Sequence, residues 1–375
     1  MAKVLIVGGG FGGVVAAESL ARKLEREHQI VLVSRSRNFL FYPALVRLAF
    51  GRGEPDDVSF DLRDAMLDRR VTFIEGEIAR INPGERHVTI ARGEFTGQMH
   101  YDYLVFALGR RMATERIAGF FEHAHHLLDL DGAFKFGEVL RTFQHGHILL
   151  GYCPGARLPV PLFETAFALS RLIEGRDKAD RSAITIVSHE TPEAMFGDAA
   201  VGQALNEAMQ SRGIEFVSDF PIARITPHSL IADDGREMNC DLSMVIPPFA
   251  GQGAVVHTNI TDAEGYLPVD ANMRVTGVER MYAVGDCVSL PGPKMGHMAV
   301  QQAEVAAENI AAEIAGHAIS AVYDHDLTLV LETDGKDSIY LHKDLWTDDP
   351  AKIKQGRFWA WAKHGHEQYW MRRHG

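Results

Sequence analysis

A glycine-rich stretch near the start of the 375-residue chain carries the clearest chemical signal. Within KVLIVGGGFGG, the spacing G-x-G-x-x-G is met by Gly8, Gly10 and Gly13. Glycines at these positions allow a tight turn, let a pyrophosphate approach the backbone, and let a helix pack closely on a strand. The free N–H groups and positive dipole end of that helix then hold the phosphates. The stretch predicts a dinucleotide-binding turn.

The residues around this turn have the pattern that such a site requires. Apolar runs over residues 4–7 and 30–33 have the length and composition of strands buried on both faces, and the residues between them repeat apolar side chains at helical spacing. The second strand ends in Ser34 and Arg35 rather than in the carboxylate that usually binds ribose hydroxyls. Ser34 can still hydrogen-bond a ribose, and Arg35 can meet a phosphate. The motif alone therefore does not choose between FAD and NAD.

Two later strands are predicted to reach the same site. Residues 101–109 form a buried strand that ends in Gly109, and it can return beside the first strand. Residues 281–286 form a short strand that ends in Gly285 and Asp286, followed by a predicted helix over residues 298–314. A buried aspartate is costly unless it is hydrogen-bonded, and the ribityl hydroxyls of a flavin are suitable donors. The alternative is that Asp286 caps the helix.

A second α/β pattern begins at residue 147 and continues with helices over 161–174 and 201–212 and strands over 183–187 and 214–217. We therefore predict an α/β fold of two Rossmann-like dinucleotide-binding domains, one inserted in the other. The predicted units are residues 1–118 with 257–320, residues 119–256, and a C-terminal segment over 321–375. The turn after the first strand of this second unit has Cys153 and Ala156 at the positions of the second and third glycines of the G-x-G-x-x-G motif. This disfavours a nicotinamide cofactor there.

Composition limits the function further. The net charge of −12 argues against nucleic-acid binding, and no apolar run approaches the roughly 18–20 residues of a membrane span. No signal peptide is predicted, and Cys153, Cys240 and Cys287 do not form a disulfide framework, so we expect a cytoplasmic protein. Several histidines between residues 123 and 147 are interpreted as surface residues, and no metal site is predicted.

The C-terminal segment differs from the rest of the chain. Its last 25 residues hold six basic residues and one acidic residue, a charge of +5 within a protein of net charge −12. All the tryptophans lie in the last 30 residues, and aromatic and small residues share one face at helical spacing: Phe358, Trp361, Ala362, Gly365 and Tyr369. Such a basic, aromatic, amphipathic helix predicts peripheral attachment to a membrane surface. A helix that docks on a protein, or a homodimer contact, would show the same aromatics.

Together these motifs resemble a known group of flavoproteins with two dinucleotide-binding domains. The chain is most similar to sulfide:quinone oxidoreductases and their flavocytochrome relatives, and next to type II NADH dehydrogenases. The resemblance covers about residues 1–320. It rests on the glycine turn, residues 101–109 and 282–286, and on the segments Phe41-Tyr42-Pro43, Pro159-Val160-Pro161-Leu162-Phe163-Glu164, Ile246-Pro247-Pro248-Phe249 and Lys294-Met295-Gly296-His297-Met298-Ala299.

The resemblance implies FAD as the cofactor and assigns roles to particular residues. Lys294 would lie beside the pyrimidine edge of the flavin, where a positive charge stabilises the reduced anionic ring, and Glu164 would handle protons near the ring. The predicted cofactor-binding residues are Gly8, Gly10, Phe11, Gly12, Gly13, Ser34, Arg35, Pro43, Ala107, Gly109, Gly285, Asp286 and Lys294; the predicted catalytic residues are Lys294, Glu164 and Cys153.

The cysteines depart from the family pattern. Sulfide oxidation in that family uses a cysteine pair beside the flavin, but Leu158 occupies the first position and no cysteine follows Cys287. We expect an enzyme that passes electrons from a reduced donor, either sulfide or NADH, through FAD to a membrane quinone. A flavoprotein subunit that docks on another redox protein is the alternative from a different class.

Overall fold

The computed structural model describes residues 1–174, 182–333 and 338–375. The chain begins with the predicted alternation of strands and helices. Up to residue 118 these elements are β1 (Lys3–Val7), α1 (Phe11–Lys23), β2 (Gln29–Ser34), β3 (Asn38–Leu40), α2 (Leu45–Ala49), β4 (Ser59–Asp61), α3 (Leu62–Leu67), β5 (Thr72–Asn82), β6 (His87–Gly93), β7 (Gly97–His100), β8 (Tyr103–Phe106) and β9 (Arg111–Met112).

The middle of the chain forms the second α/β unit. Its elements are α4 (Phe120–His123), α5 (Leu130–Thr142), β10 (His147–Tyr152), α6 (Val160–Glu174), β11 (Ala183–Ser188), α7 (Pro192–Phe196), α8 (Ala199–Gln210), β12 (Ile214–Val217), β13 (Ile222–Thr226), β14 (Ser229–Ala232), β15 (Glu237–Asn239), β16 (Leu242–Ile246) and β17 (Phe249–Ala250). The chain then continues through β18 (Met281–Ala283), α9 (Gly296–Ile314), β19 (Asp326–Glu332), β20 (Ser338–Asp344), β21 (Lys352–Gln355) and α10 (Arg357–His374).

The first sheet is organised around β1. Within the described residues its strand order is β18-β8-β1-β2-β5-β6-β7; the strands from β18 to β5 are parallel, and β6 and β7 form an antiparallel extension. Successive side chains of a strand point to opposite faces. Val4 and Ile6 accordingly pack in the cluster that contains α1 and α9, whereas Leu5 and Val7 pack in the cluster on the other face. This double burial explains why β1 is apolar throughout.

The second unit is inserted in the first, as predicted. In its described part, the sheet has the parallel order β12-β11-β10-β16. The two connections between the units pair as antiparallel strands, with Met112 opposite Phe249 and Arg111 opposite Ala250. The domain boundaries at residues 118 and 256 lie shortly after this pair and stay predictions.

The C-terminal segment contains a sheet that the sequence analysis did not predict. Strands β19, β20 and β21 pair as an antiparallel sheet before α10 begins. In β19 every second residue is buried, namely Leu327, Leu329 and Leu331, and this alternation was the available sequence signal. No helix among the described residues is long and apolar enough to cross a membrane.

Candidate functional site

The glycine-rich turn between β1 and α1 has the geometry that the motif predicted. A side chain on Gly8, where φ is +110°, would meet the carbonyl oxygen of Ala107 at 2.1 Å. A side chain on Gly13 would meet the carbonyl oxygen of Gly8 at 1.8 Å, whereas one on Gly10 would meet no atom of the described residues within 4 Å. Gly10 also gives α1 no side-chain cap. The turn therefore leaves open space at a helix N-terminus that suits an anionic group.

Two neighbouring strand ends lie at the same edge of the sheet. In the parallel register, Phe106 of β8 pairs with both Val7 of β1 and Ala283 of β18. The residues that come after β8 and β18 therefore lie at the same sheet edge as the glycine turn. Gly109 and Gly285 have φ of +67° and +83°, which glycine adopts readily. The backbone N–H of Gly285 donates to Oε1 of Gln302 at 2.7 Å. The three predicted cofactor segments therefore converge.

Ser34 and Arg35 end the next strand along this edge. Ser34 is buried beside the turn, since a side chain on Gly9 would meet its hydroxyl oxygen at 2.7 Å. Arg35 is exposed. Both positions are compatible with contacts to a ribose and a phosphate, and these contacts stay predictions.

Asp286 has a basic partner that sequence reasoning missed. The Nε of Arg110 lies 3.5 Å from Oδ2 of Asp286, and the guanidinium lies 3.8 Å above the ring centroid of Phe249. This Nε is buried and makes no hydrogen bond within the described residues. Burial, reinforced by the charge of Asp286, raises the pKa of the nearby Tyr42 hydroxyl far above its usual value. The site thus holds donors that are available to a ligand.

Lys294 is buried next to Asp286. Its Nζ donates to the carbonyl oxygen of Val288 and lies 4.8 Å from the ring centroid of Tyr266. Burial, helped by the positive charge of Arg157, lowers the pKa of Lys294 from 10.5 to about 7. Arg157 also fixes the loop before Lys294, because its Nε donates to the carbonyl oxygen of Gly292 at 3.0 Å. The structure thus confines a readily titrated ammonium group next to Asp286.

Glu164 lies in a buried ionic network. Together with Pro43 it lines a cavity of about 40 Å³. Its Oε1 accepts from Nζ of Lys363 at 2.6 Å and from the backbone N–H of Glu332 at 3.0 Å. Lys363 also lies 3.1 Å from Glu332, which accepts from Nε2 of His364 at 3.2 Å. The network connects a buried carboxylate to an exposed histidine of α10.

The pKa shifts in this network follow from burial and charge. Burial raises the pKa of Glu164, although the charge of Lys363 opposes the shift. Burial opposes the ionisation of Glu332 as well, but the hydrogen bond from His364 and the charge of Lys363 lower its pKa to about 2. Glu164 is therefore the carboxyl group of the pair that takes up a proton more readily.

Comparison with known sequences identifies the family. A profile of the pyridine nucleotide-disulphide oxidoreductases matches residues 2–145 and 163–307. The chain belongs to this family. It is an oxidoreductase, and the match includes the first strand–turn–helix unit and most of α6 but not β10.

Individual relatives confirm the predicted resemblance within this family. Sulfide-quinone reductase of Aquifex aeolicus is 25% identical over 397 residues, which cover 99% of this chain and 91% of that protein. Type II NADH:quinone oxidoreductase of Haemophilus influenzae is 26% identical over 358 residues, covering 83% of this chain and 80% of the relative. Among solved structures, the sulfide:quinone oxidoreductase of Aquifex aeolicus has a TM-score of 0.90 at 22% identity, covering 100% and 91% of the two chains.

The cysteines are poorly placed for family-type thiol chemistry. Cys153 is fully buried in an apolar cluster, and burial raises the pKa of its thiol far above the usual value. Burial likewise raises the pKa of Cys287 to about 12. A reactive cysteine needs an accessible thiolate. The structure therefore argues against our prediction that Cys153 is catalytic.

The second turn differs from the first for a reason that the sequence analysis did not give. We expected the side chain of Cys153 to obstruct a pyrophosphate, but it packs beside Leu149 in the apolar cluster. Instead, residues 153–159 separate β10 from α6, whereas only residues 8–10 separate β1 from α1. Pro161 also removes one free N–H from the start of α6. The N-terminus of α6 therefore does not reproduce the geometry of the first turn, where we predict that phosphates bind.

A wide cleft nevertheless opens between the two units. Its volume is about 550 Å³, and its walls include Gly155, Arg157, Phe249 and Tyr266. Tyr266 in its wall has its ring centroid 4.8 Å from Nζ of Lys294, and Arg157 donates to the carbonyl oxygen of Gly292 in the loop before Lys294. The cleft therefore borders the residues around Lys294.

Proposed function

We propose that the protein is an FAD-dependent oxidoreductase that passes electrons from a small reduced donor to a membrane quinone. The observation that carries this proposal is the open space at Gly10 in the turn, together with Gly109, Asp286 and the Nε of Arg110, which makes no hydrogen bond within the described residues. Bound there, FAD would accept two electrons from the donor and deliver them to the acceptor. The turn would hold its pyrophosphate, and Asp286 would accept from its ribityl hydroxyls.

The chain's own residues supply the electrostatics and the protons. Lys294 would hold a positive charge where negative charge develops, in a place shielded from water. Reduction of a quinone to a quinol takes up two protons, and Glu164 is a buried group that can supply one. Lys363 would keep Glu164 oriented and stabilise it once the proton has left.

A glutamine at position 164 tests the proton role. Glu164→Gln keeps the shape but cannot deliver a proton, so quinone turnover should fall about 100-fold. Turnover with ferricyanide, which accepts electrons without protons, should stay within about twofold. Glu207→Gln, an exposed carboxylate on α8, is the matched control. An equal loss with both acceptors would contradict proton delivery by Glu164.

Sulfide is the donor that we propose first. The second unit lacks a phosphate cradle like that of the first, which weakens NADH as the donor. NADH is the second candidate, and the wide cleft between the units supports it. The deciding experiment is anaerobic mixing of the holoenzyme with sulfide or with NADH, followed by addition of a short-chain quinone. The productive donor should bleach the flavin and the quinone should restore its colour; bleaching by neither would reject both donors.

Contact with a membrane is proposed for the outer side of α10. Phe358, Trp361 and Tyr369 are exposed there among basic residues. Exposed aromatic rings beside arginine and lysine favour the interface of an anionic bilayer. A second copy of the chain or a redox partner protein would have to present negative charge to these basic residues.

Vesicle flotation tests this contact. Phe358→Ser combined with Trp361→Ser should reduce the fraction bound to phosphatidylglycerol vesicles at least fivefold, because both rings leave the interface. Phe121→Ser removes an equally exposed ring from α4 and should not change binding. If the double variant floats like the wild type, α10 does not attach the protein to membranes, and docking on a protein becomes the better explanation.

A further inference from the structure

The last turns of α10 lie against the start of α1, next to the dinucleotide turn. Trp370 is only 5% exposed, and its ring centroid lies 5.0 Å from that of Phe11 and 6.2 Å from that of Phe39. Phe11 is the first residue of α1 and directly follows Gly10. The C-terminal helix therefore packs on the first residue of α1, directly after Gly10 of the predicted phosphate-binding turn.

Buried polar contacts fix the same end of α10. Nδ1 of His374 lies 2.9 Å from Oε2 of Glu18, a carboxylate of α1 that is almost fully buried. The other oxygen of Glu18 lies 3.1 Å from Nε of Arg69, and Arg69 donates to the carbonyl oxygen of Arg373 at 2.6 Å. A buried carboxylate that loses a partner is strongly destabilised. Displacement of α10 would therefore destabilise α1 as well.

The two sides of α10 thus face different surroundings. Trp361, on the outer side, is 72% exposed, whereas Trp370 on the inner side is buried. One helix carries both the proposed membrane contact and a contact to the cofactor turn.

We propose that Trp370 and His374 are positioning residues that hold α1 in its FAD-binding conformation, and that docking of α10 and retention of FAD strengthen each other. This inference rests on the proposed function, because it takes FAD as the group bound at the turn. Without the Trp370 ring, Phe11 would lose its cover and the first turn of α1 could shift away from the phosphates. Coupling between two binding events is reciprocal, so FAD would also protect α10, and membrane binding would slow the loss of FAD.

The matched pair Trp370→Ala and Trp361→Ala tests the positioning role. Both remove a tryptophan from the same helix, but from opposite sides. Trp370→Ala should release FAD at least tenfold faster, measured as the appearance of free-flavin fluorescence after dilution of the holoprotein. Without vesicles present, Trp361→Ala should release FAD at the wild-type rate. Equal release rates in the two variants would overturn the proposal.

Two further measurements keep the test decisive if Trp370→Ala does not fold. Trp370→Phe retains an aromatic ring and should speed FAD release by about twofold to fivefold. In the wild type, FAD should slow hydrogen exchange of the amides of residues 366–374 at least tenfold, and phosphatidylglycerol vesicles should slow FAD release. If FAD does not change the hydrogen exchange of these amides, the proposed coupling is rejected. A wild-type protein that cannot bind FAD at all would instead reject the proposed function.

Discussion

Replacing Gly10 by alanine should remove FAD binding and leave the apoprotein folded. The backbone angles of Gly10, φ −83° and ψ −169°, suit any residue, and an added Cβ meets no atom within 4 Å in the part of the chain that the structure describes. The methyl group would instead occupy the space into which we place the pyrophosphate. We expect the dissociation constant for FAD to rise at least 100-fold, while the free energy of unfolding of the apoprotein changes by no more than about 1 kcal/mol. Fluorescence titration of apoprotein with FAD and urea unfolding measure the two quantities.

Two other glycines serve as controls for this result. Gly13→Ala should disrupt the turn itself, because the new Cβ would lie 1.8 Å from the carbonyl oxygen of Gly8; we expect a loss of about 3 kcal/mol in stability together with the loss of FAD. Gly365→Ala lies on the exposed side of α10 with no neighbour within 4 Å, and it should bind FAD normally. If Gly10→Ala binds FAD like the wild type, the open space at the turn is not the pyrophosphate site.

Replacing Lys294 by methionine should stabilise the apoprotein and impair the holoenzyme. The folded protein releases the Lys294 proton near pH 7, whereas the unfolded chain keeps it to pH 10.5. Between these values the unfolded state binds more protons, so wild-type stability should rise with pH. At about 1.4 kcal/mol per pH unit, the charged lysine destabilises the apoprotein by roughly 5 kcal/mol below pH 7 as an upper limit. Lys294→Met should gain most of this at pH 6, and the gain should shrink as pH rises to 9.

Urea unfolding of the apoprotein at pH 6, 7, 8 and 9 measures this dependence. Lys352→Met, a change of an exposed lysine on β21, is the matched control, and the same pH-dependent gain in both variants would contradict a burial effect at Lys294. In the holoenzyme, Lys294→Met removes the positive charge that we propose lies beside the flavin. We expect a more negative flavin midpoint potential and a turnover at least tenfold lower. An unchanged potential would show that Lys294 does not act on the flavin.

The sequence predicted the glycine turn well because each part of it depends on neighbouring residues. A buried strand, a tight turn and a helix follow each other within about 20 residues, and each element has its own periodicity. The edge position of Gly285 and Asp286 was also predictable, since the carboxyl ends of parallel strands meet at one sheet edge. Arg110 was missed although it directly follows Gly109, because nothing local indicates that its guanidinium reaches Asp286.

The ionic partners of Glu164 could not be predicted for the same reason. Lys363 lies almost 200 positions from Glu164 in the sequence, and only the packing of α10 against the rest of the protein brings them together.

The sequence by itself determined the family, the α/β class with one dinucleotide unit inserted in the other, and the edge of the sheet where a cofactor would lie. These properties follow from local patterns, because strand and helix periods and glycine spacing are short-range constraints. The tertiary structure decided which side of α10 is buried and that Lys294 titrates near neutral pH. It also decided that Glu164, rather than Glu332, has the raised pKa. Each of these depends on desolvation and charge from residues distant in the chain, and such contacts are set by packing rather than by sequence neighbours.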